Sequence, residues 1–442
     1  MSIGKRLSSG VAAAAMLVAS CLPSHAQDEG GLLATATVGL GVLHDEDGTR
    51  ARNELGFTLS SSTRRASLSF SLSGALEYPD ADDDLTLEDP TLALAYKLTG
   101  ANASLAFDAA YRQVEISTLV FDEELDPTAP ITDTGYRTTA DLGAELTFGI
   151  EAPFGGTVGL GLREVAYHET DSPALFDYDT RNADLALRFA VDPRIELSLT
   201  GSYEDIESEG AGRDRTTTAA GLGAEFQINK SLTASLNLRH TEIETSAGGG
   251  PVTRQSGPEW DATLVRTLPD GALTFDLAST VTSLGRRHEA NISRTREFPT
   301  ARLAWSVGLS QASDGEVDGL FSLSWTRDGK RGSFQALAER DVRASTFGDE
   351  ALVDRLSIGY RRNLTELSGL TTSLTYRRTD YLDPAADTVE QMEFGLGFTR
   401  SLTERADLTA RFSHARSRSG TQDAVSENTI YLGVQRNFSW RP

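Results

Sequence analysis

The sequence predicts an all-β protein, a closed antiparallel transmembrane β-barrel of about 22 strands, with 20 as the alternative count. Three observations predict this fold. Apolar residues recur at every second position over many segments, which is typical of strands with one apolar face. These segments run about 9 to 13 residues, enough for a tilted strand to cross a bilayer. Short turns alternate with long polar connections, as in outer-membrane barrels with short periplasmic turns and long outer loops.

The chain begins with the layout of a secretory signal peptide. Lys5 and Arg6 precede the apolar run from Val11 to Val18, and small residues follow up to Ala26. We therefore expect residues 1–26 to be removed and residues 27–442 to form the barrel. A second interpretation stays open, because the residues around Cys21 also fit a lipoprotein signal in which Cys21 carries the lipid. Cys21 is the only cysteine, so neither interpretation allows an internal disulfide.

The segment from Ser67 to Leu76 illustrates the alternation. Leu68, Phe70 and Leu72 are separated by serines, so one face is apolar and the other carries hydroxyl groups. The same pattern predicts strands through residues 104–112, 141–148, 184–191, 232–239 and 392–398. An open sheet edge has no hydrogen-bond partners in lipid, so these strands are expected to close into a barrel.

The connections set the strand count. Tight turns such as Asp192-Pro193-Arg194 alternate with longer polar segments, at residues 114–134, 168–179, 245–257 and 417–426. The segment Leu284–Thr300 is the weakest strand prediction, because four arginines interrupt its alternation. A strand in this segment keeps the short turns on one side of the membrane and gives a total of 22 strands. Without it the total is 20 strands. Strands begin by Leu32 and continue to the C-terminus, so no plug, passenger or second domain is expected.

A recurrent hairpin motif carries a family resemblance. Arg362-Asn363-Leu364-Thr365-Glu366 aligns with Arg400-Ser401-Leu402-Thr403-Glu404, and tyrosine-rich strand ends such as Tyr376-Arg377-Arg378 accompany it. In these features the chain resembles the family of outer-membrane β-barrel porins linked to exopolysaccharide production. The resemblance covers most of the chain after the signal peptide and implies passage of an exopolysaccharide through the pore.

The last segment, Gly433–Trp440, looks like the terminal-strand signal that the barrel-assembly machinery recognises. Phe438 and Trp440 alternate as in that signal. The segment departs from it in two ways, because Arg436 occupies a position where an aromatic residue is common and Arg441-Pro442 follow the last aromatic residue. Assembly by this machinery in the outer membrane of a Gram-negative bacterium is the expectation.

Charge and motifs exclude several functions. The formal net charge of −23 disfavours a nucleic-acid partner. After removal of the signal peptide the histidines are scattered singly, so neither a metal site nor another cofactor is expected. No nucleophile elbow, phosphate-binding loop or dinucleotide fingerprint is present, and we expect no enzymatic activity. A hydrolase at the barrel rim, using His168 with Asp171 or His240 with Glu242, is the least favoured alternative.

Charged residues on the polar faces of the strands are the candidate site. Facing rows of arginines and carboxylates in porin-type channels create a transverse field that favours polar solutes. In the simpler alternative, these charges only pair across neighbouring strands and fill the lumen. The pore-lining candidates are Arg112, Arg188, Arg239, Arg411, Asp108, Asp141, Asp184, Glu145, Glu196 and Glu393.

The sequence favours a porin-like channel for diffusion of polar solutes or passage of exopolysaccharide. The alternative, from a different class of function, is a structural or surface-binding barrel whose lumen is blocked by loops such as residues 114–134. Expected partners are outer-membrane lipid and lipopolysaccharide, the barrel-assembly machinery, and polysaccharide or small polar solutes.

Overall fold

The structure is a computed structural model that describes residues 31–46, 48–78, 86–116, 135–170, 175–209, 212–247, 250–382, 387–420 and 423–441. These ranges contain 22 strands that form a single antiparallel sheet. No helix in the same ranges has the length and apolar character needed to cross a membrane. The predicted signal peptide and Cys21 lie outside the described residues, so cleavage and lipidation stay predictions.

The strands are long and follow one another at short intervals. Their bounds are β1 (Leu33–Asp45), β2 (Gly48–Ser62), β3 (Ala66–Tyr78), β4 (Thr86–Thr99), β5 (Ala103–Glu115), β6 (Tyr136–Phe148), β7 (Phe154–His168), β8 (Tyr178–Asp192), β9 (Ile195–Ser208), β10 (Arg213–Asn229), β11 (Leu232–Ala247), β12 (Thr253–Leu268), β13 (Gly271–Thr282), β14 (Gly285–Phe298), β15 (Ala301–Gln311), β16 (Val317–Gly329), β17 (Gly332–Ala344), β18 (Glu350–Asn363), β19 (Ser368–Tyr381), β20 (Val389–Thr403), β21 (Ala406–Ser419) and β22 (Val425–Trp440).

Each strand pairs with the next one in the chain, and β1 pairs with β22 to close the barrel. The closing register sets Leu40 opposite Val434 and Gly41 opposite Gly433. Closure leaves no strand edge that would expose unpaired backbone groups to lipid. The predicted fold class, a closed antiparallel barrel of 22 strands, is therefore confirmed.

Two glycines make room for a tyrosine where β1 meets β22. Tyr431 is buried and faces the lumen, and a Cβ atom at Gly41 would lie only 2.6 Å from its ring. A Cβ atom at Gly433 would also meet this ring. The guanidinium carbon of Arg411 lies 5.3 Å from the ring centroid, a distance at which a cation is attracted to the aromatic face. Glycine is thus required on both strands for the tyrosine to pack across them.

The outer wall of the barrel is apolar. Leucines on alternate positions point away from the lumen and are more than half exposed, including Leu40, Leu160, Leu222 and Leu238. In water such a continuous apolar surface would be unfavourable, whereas lipid chains solvate it well. The wall and the closed 22-stranded fold together confirm the predicted location in the bacterial outer membrane.

The strand predicted in the arginine-rich segment is present as β14, which pairs with β13 and β15 along its length. Its arginines lie toward the two ends of the strand. Near the end that faces the turn after β12, Arg294 and Arg296 bind Asp270 at 2.5 and 2.8 Å. Near the other end, Arg286 donates to the carbonyl oxygen of Pro258 at 2.7 Å. Charged residues at strand ends interrupt the sequence pattern without interrupting the sheet.

The connections alternate in length as predicted, but less regularly. At the end of the barrel that holds both Leu33 and Trp440, turns span two to five residues. This end is periplasmic by the rule for outer-membrane barrels. Connections at the opposite end range from two residues, as at 283–284, to the segment between β5 and β6. The long outer loops are therefore confirmed only at some positions.

The predicted loop at residues 245–257 is shorter than expected. β11 continues to Ala247 and β12 begins at Thr253. Thr253 donates to the carbonyl oxygen of Thr245 at 3.2 Å, and Arg254 approaches Glu242 at 3.2 Å. Polar cross-strand pairs thus extend this hairpin. The segment was predicted to be a loop because its sequence is polar.

Candidate functional site

The predicted pore-lining residues lie on the polar, lumen-facing side of their strands. On β6, Asp141 binds Arg163 of β7, with the Nε atom 2.5 Å from Oδ1. The Asp108 carboxylate of β5 lies over Gly143, where a Cβ atom would collide with it. Arg112 occupies the same face of β5 as Asp108, four residues away. The first part of the candidate site is therefore a charged patch on β5–β7.

A second group lies toward the periplasmic turns of β6–β9. Arg188 approaches Glu196 at 3.6 Å and donates to the carbonyl oxygen of Gly149 at 2.9 Å. Asp184 accepts a hydrogen bond from Asn182 at 3.3 Å, and Glu145 accepts one from Thr147 at 3.5 Å. These interactions join neighbouring strands, reach the turn between β6 and β7, or link residues two positions apart on one strand.

The remaining candidates bind partners that sequence reasoning did not identify. Arg239 binds Glu259 of β12 at 2.5 Å, and Arg411 of β21 binds Glu54 of β2 at 3.0 Å. Two strands, β22 and β1, separate the members of the second pair. Such a contact is possible only on the concave side of the wall, so Arg411 and Glu54 both reach into the lumen. Glu393 stands opposite Thr375 on the lumen face of β20. The candidates line the wall without forming one compact cluster.

The connection between β17 and β18, residues Ser345–Asp349, forms a compact turn, which we term the inward loop. Its backbone is closed by hydrogen bonds from Ser345 N to Asp349 O at 2.7 Å and from Gly348 N to Ser345 O at 3.0 Å. The Ser345 hydroxyl accepts the backbone N–H groups of Phe347 and Asp349. Gly348 has a φ of 89°, a conformation that glycine adopts without strain. The loop thus has a defined shape.

Phe347, at the tip of the inward loop, packs against the far wall of the barrel. Its ring centroid lies 4.9 Å from that of Phe176 and 5.3 Å from that of Tyr178. Val165 and Ile206, both fully buried, complete this apolar cluster with Tyr178. Eight strands, β9–β16, separate β8 from β17 along the sheet. The loop therefore reaches across the outer mouth of the barrel.

Polar contacts hold the same loop on other strands. Arg213 of β10 binds Asp349 at 2.6 Å, and the Ser283 hydroxyl donates to the carbonyl oxygen of Gly348 at 2.5 Å. At the start of β18, Glu350 pairs with Arg287 of β14, and both side chains are buried. These contacts make the outer mouth narrower than the 22-stranded wall alone would leave it.

Sequence reasoning missed this loop. The only signal was a single phenylalanine in a short, otherwise polar and small-residue connection, Ser345-Thr346-Phe347-Gly348-Asp349. An apolar ring exposed at a loop tip is unfavourable in water, which indicates a buried contact but not its location. The loop at residues 114–134, predicted to block the lumen in the surface-binding alternative, lies outside the described residues from position 117 to 134.

The rim histidines proposed for the hydrolase alternative have other surroundings. His240 and Glu242 share the outward face of β11, and Glu242 approaches Arg254 at 3.2 Å. His168 is the last residue of β7, whereas Asp171 lies outside the described residues. Within the described ranges, no group of three histidine, cysteine or acidic side chains has the arrangement of a metal site.

Comparisons with known proteins identify solved structures with a similar fold. No protein-family model matches the chain, and no curated protein sequence matches it either. Similar solved structures include the FrpB iron transporter from Neisseria meningitidis, with a TM-score of 0.60 at 10% identity over 93% of this chain and 82% of that one. The siderophore receptor PiuA from Acinetobacter baumannii has a TM-score of 0.59, also at 10% identity, with 93% and 82% of the two chains covered.

A third similar structure is the ferric-catecholate import receptor Fiu from E. coli K12, with a TM-score of 0.58, 10% identity and coverage of 93% and 82%. At these identities the likeness shows the fold alone. The resemblance to exopolysaccharide-associated porins is wrong, because no model of that family matches and the similar structures are iron and siderophore receptors. Its hairpin motif reflects strand and turn chemistry that unrelated barrels share.

Proposed function

We propose that this protein is a passive outer-membrane channel for small polar solutes, narrowed at its outer mouth by the inward loop. One observation carries the proposal: Phe347 packs on Tyr178 across the mouth of a barrel whose inner wall is polar. The lumen of a 22-stranded barrel is too wide for wall side chains to fill. A loop fixed across it restricts passage to small solutes.

The charges on the lumen wall support the same proposal. Arginines and carboxylates stand on neighbouring strands, as in Arg163 with Asp141 and Arg239 with Glu259. Such pairs offer hydrogen-bond donors and acceptors to a passing hydrated solute, and their local fields favour polar over apolar molecules. No separate folded unit of described residues fills the lumen between the strands, which favours a conducting pore.

A second candidate is a receptor-type barrel that binds a ligand at its outer surface and does not conduct by itself. The similar structures named as iron transporters and siderophore receptors favour it, and so does the inward loop, which blocks part of the mouth. Outer-membrane transporters with 22 strands usually have a plugged lumen. This candidate includes the structural or surface-binding role considered from the sequence.

The partners proposed are those of an outer-membrane channel. The apolar wall around Leu222 would contact membrane lipid and lipopolysaccharide. The aromatic residues Phe438 and Trp440 near the end of β22 support recognition by the barrel-assembly machinery. We also propose that the protein is not an enzyme. The rim residue Glu242, considered for a hydrolase, pairs with Arg254 instead.

Single-channel recording of the refolded protein in a planar bilayer tests the proposal. We expect steady unit conductance that scales with salt concentration and falls below that of a wide, unobstructed pore of equal strand number. Liposome swelling in solutions of neutral sugars should show faster entry of small sugars than of large ones. Folded protein that gives no conductance at any voltage would exclude the channel and favour the receptor-type barrel.

A further inference from the structure

A cavity of about 310 Å³ lies on the lumen wall of β6–β10, beneath the inward loop. Thr346 of the loop forms part of its boundary, and residues of β6–β10 form the remainder. Its volume is at the lower end of the range for small-molecule sites. A solute that passes the inward loop would meet this cavity on its way through the lumen.

The charges that line the cavity compensate one another. Arg163 binds Asp141 at 2.5 Å, and Arg215 binds Glu204 at 2.5 Å. Two cations therefore stand beside two anions, and the wall carries no net charge from these four residues. A solute with a net charge meets a like charge next to each opposite one, so the wall offers it little net Coulomb attraction. A neutral solute can accept from the guanidinium groups and donate to the carboxylates.

The cavity also has hydrogen-bonding capacity that the described residues leave unused. The Nε atom of Arg215, which lies in the cavity wall, is buried and has no hydrogen-bond partner among them. A buried donor without a partner is unfavourable, so a small shift of the Arg215 side chain toward a bound hydroxyl group would be favoured. Asn182 and Thr180 add an amide and a hydroxyl to the same wall. The Asn182 amide lies over Gly161, because a Cβ atom there would collide with it.

Apolar side chains adjoin these polar groups. Tyr178 and Ile206, at the edge of the cavity, are 8% and 2% exposed and belong to the cluster that holds Phe347. A molecule that fits the cavity therefore needs hydroxyl groups on its periphery, with C–H groups where it adjoins these side chains. A sugar ring has both features, whereas an ion or a hydrocarbon has only one of them.

We propose that the cavity is a binding subsite for a neutral, polyhydroxylated solute of about the size of a monosaccharide. The subsite deepens the proposed channel function and rests on it for the route by which the solute arrives. Its occupant would donate hydroxyl hydrogens to Asp141 and Glu204 and accept from Arg163, Arg215 and Asn182.

Isothermal titration calorimetry of the detergent-solubilised protein with D-glucose tests the subsite without requiring conductance. We expect saturable binding that weakens at least tenfold in Asn182→Ala and in Thr180→Val, each of which removes a polar group from the cavity. Thr375→Val is the matched control, because Thr375 lies on the lumen face of β19, away from the cavity. It should bind glucose as the wild type does.

Charged probes separate neutral recognition from simple charge attraction. D-gluconate and D-glucosamine, an anion and a cation of similar size, should each bind at least tenfold more weakly than glucose. The subsite is overturned if folded protein binds no glucose, if Thr375→Val weakens binding as much as Asn182→Ala, or if either ion binds as tightly as glucose. Glucose binding by a barrel that does not conduct would overturn the channel and leave the subsite in place, whereas conductance without glucose binding would do the reverse.

Discussion

The ring of Phe347, in the loop after β17, lies 5.3 Å from the ring of Tyr178 at the start of β8, and their planes meet at 81°. This edge-to-face geometry is a favourable one for two aromatic rings. The two residues belong to opposite parts of the barrel wall, so their contact determines how wide the outer mouth is.

Replacing Phe347 should widen that mouth. In Phe347→Ala the loop loses both aromatic contacts, each worth about 0.5–1.5 kcal/mol beyond the apolar area that it buries. We expect a higher single-channel conductance and faster liposome swelling with larger sugars. Phe321→Ala is a suitable control, because Phe321 is exposed on the outer wall of β16 and should leave conductance unchanged. Equal conductance in wild type and Phe347→Ala would contradict the role assigned to the inward loop.

The pair formed by Arg287 and Glu350 should stabilise the barrel only while both charges are present. Both side chains are buried, and Arg287 also donates to Ser310 at 2.8 Å. Arg287→Ala leaves the Glu350 carboxylate without its cation, which should lower the free energy of unfolding by about 3–5 kcal/mol. Adding Glu350→Gln to this variant should restore part of the loss. Urea unfolding in detergent micelles measures both effects, and additive losses would exclude coupling between the two residues.

A charge on the outer wall should be much less tolerated than one in the lumen. Leu222 is 65% exposed on the lipid-facing side of β10. Leu222→Arg should reduce the free energy of unfolding in lipid by about 2–4 kcal/mol, the cost known for arginine near the bilayer midplane. Ser235→Arg, on the lumen side of β11 opposite Glu225, is the matched control and should be nearly neutral. The reverse order of stability would mean that the two faces have been assigned wrongly.

Acid should weaken one periplasmic turn. The hydrogen bond from Arg294 is the largest influence and lowers the pKa of Asp270; desolvation opposes it, and the charges of Arg294 and Arg296 lower the pKa further. A carboxyl group whose pKa is depressed on folding stabilises the folded state above its unfolded pKa of about 4. This contribution is lost as the pH falls through the lower, folded-state value.

Asp270→Asn and Arg294→Met should each remove that contribution, so their unfolding midpoints should fall less than that of the wild type between neutral and acidic pH. Urea titrations at several pH values make the comparison. The change should be small because Asp270 is solvated, as is usual for exposed ion pairs. A steeper loss of stability in the variants than in the wild type would contradict the assigned sign.

Much of the fold could be predicted from the sequence because lipid, lumen and backbone impose a repeating pattern. Alternation along β3, where Leu68 and Phe70 stand between serines, determines which face meets lipid. Keeping every short turn at the same end of the barrel then required a strand at the position of β14, despite its arginines. The same alternation predicted which charged residues lie on the lumen face. It did not predict their partners, such as Glu54 and Glu259.

What the sequence by itself determined is the nearest-neighbour structure: most strand positions, a strand count of 20 to 22, the polarity of the two faces and closure of the sheet. The tertiary structure alone decided the path of Ser345–Asp349 across the mouth, the pairing of Arg287 with Glu350 over three intervening strands, and the neutral cavity beneath the loop. A period of two encodes register between adjacent strands. It contains no information about which loop bends inward, because that depends on contacts between strands that meet only after the barrel has closed.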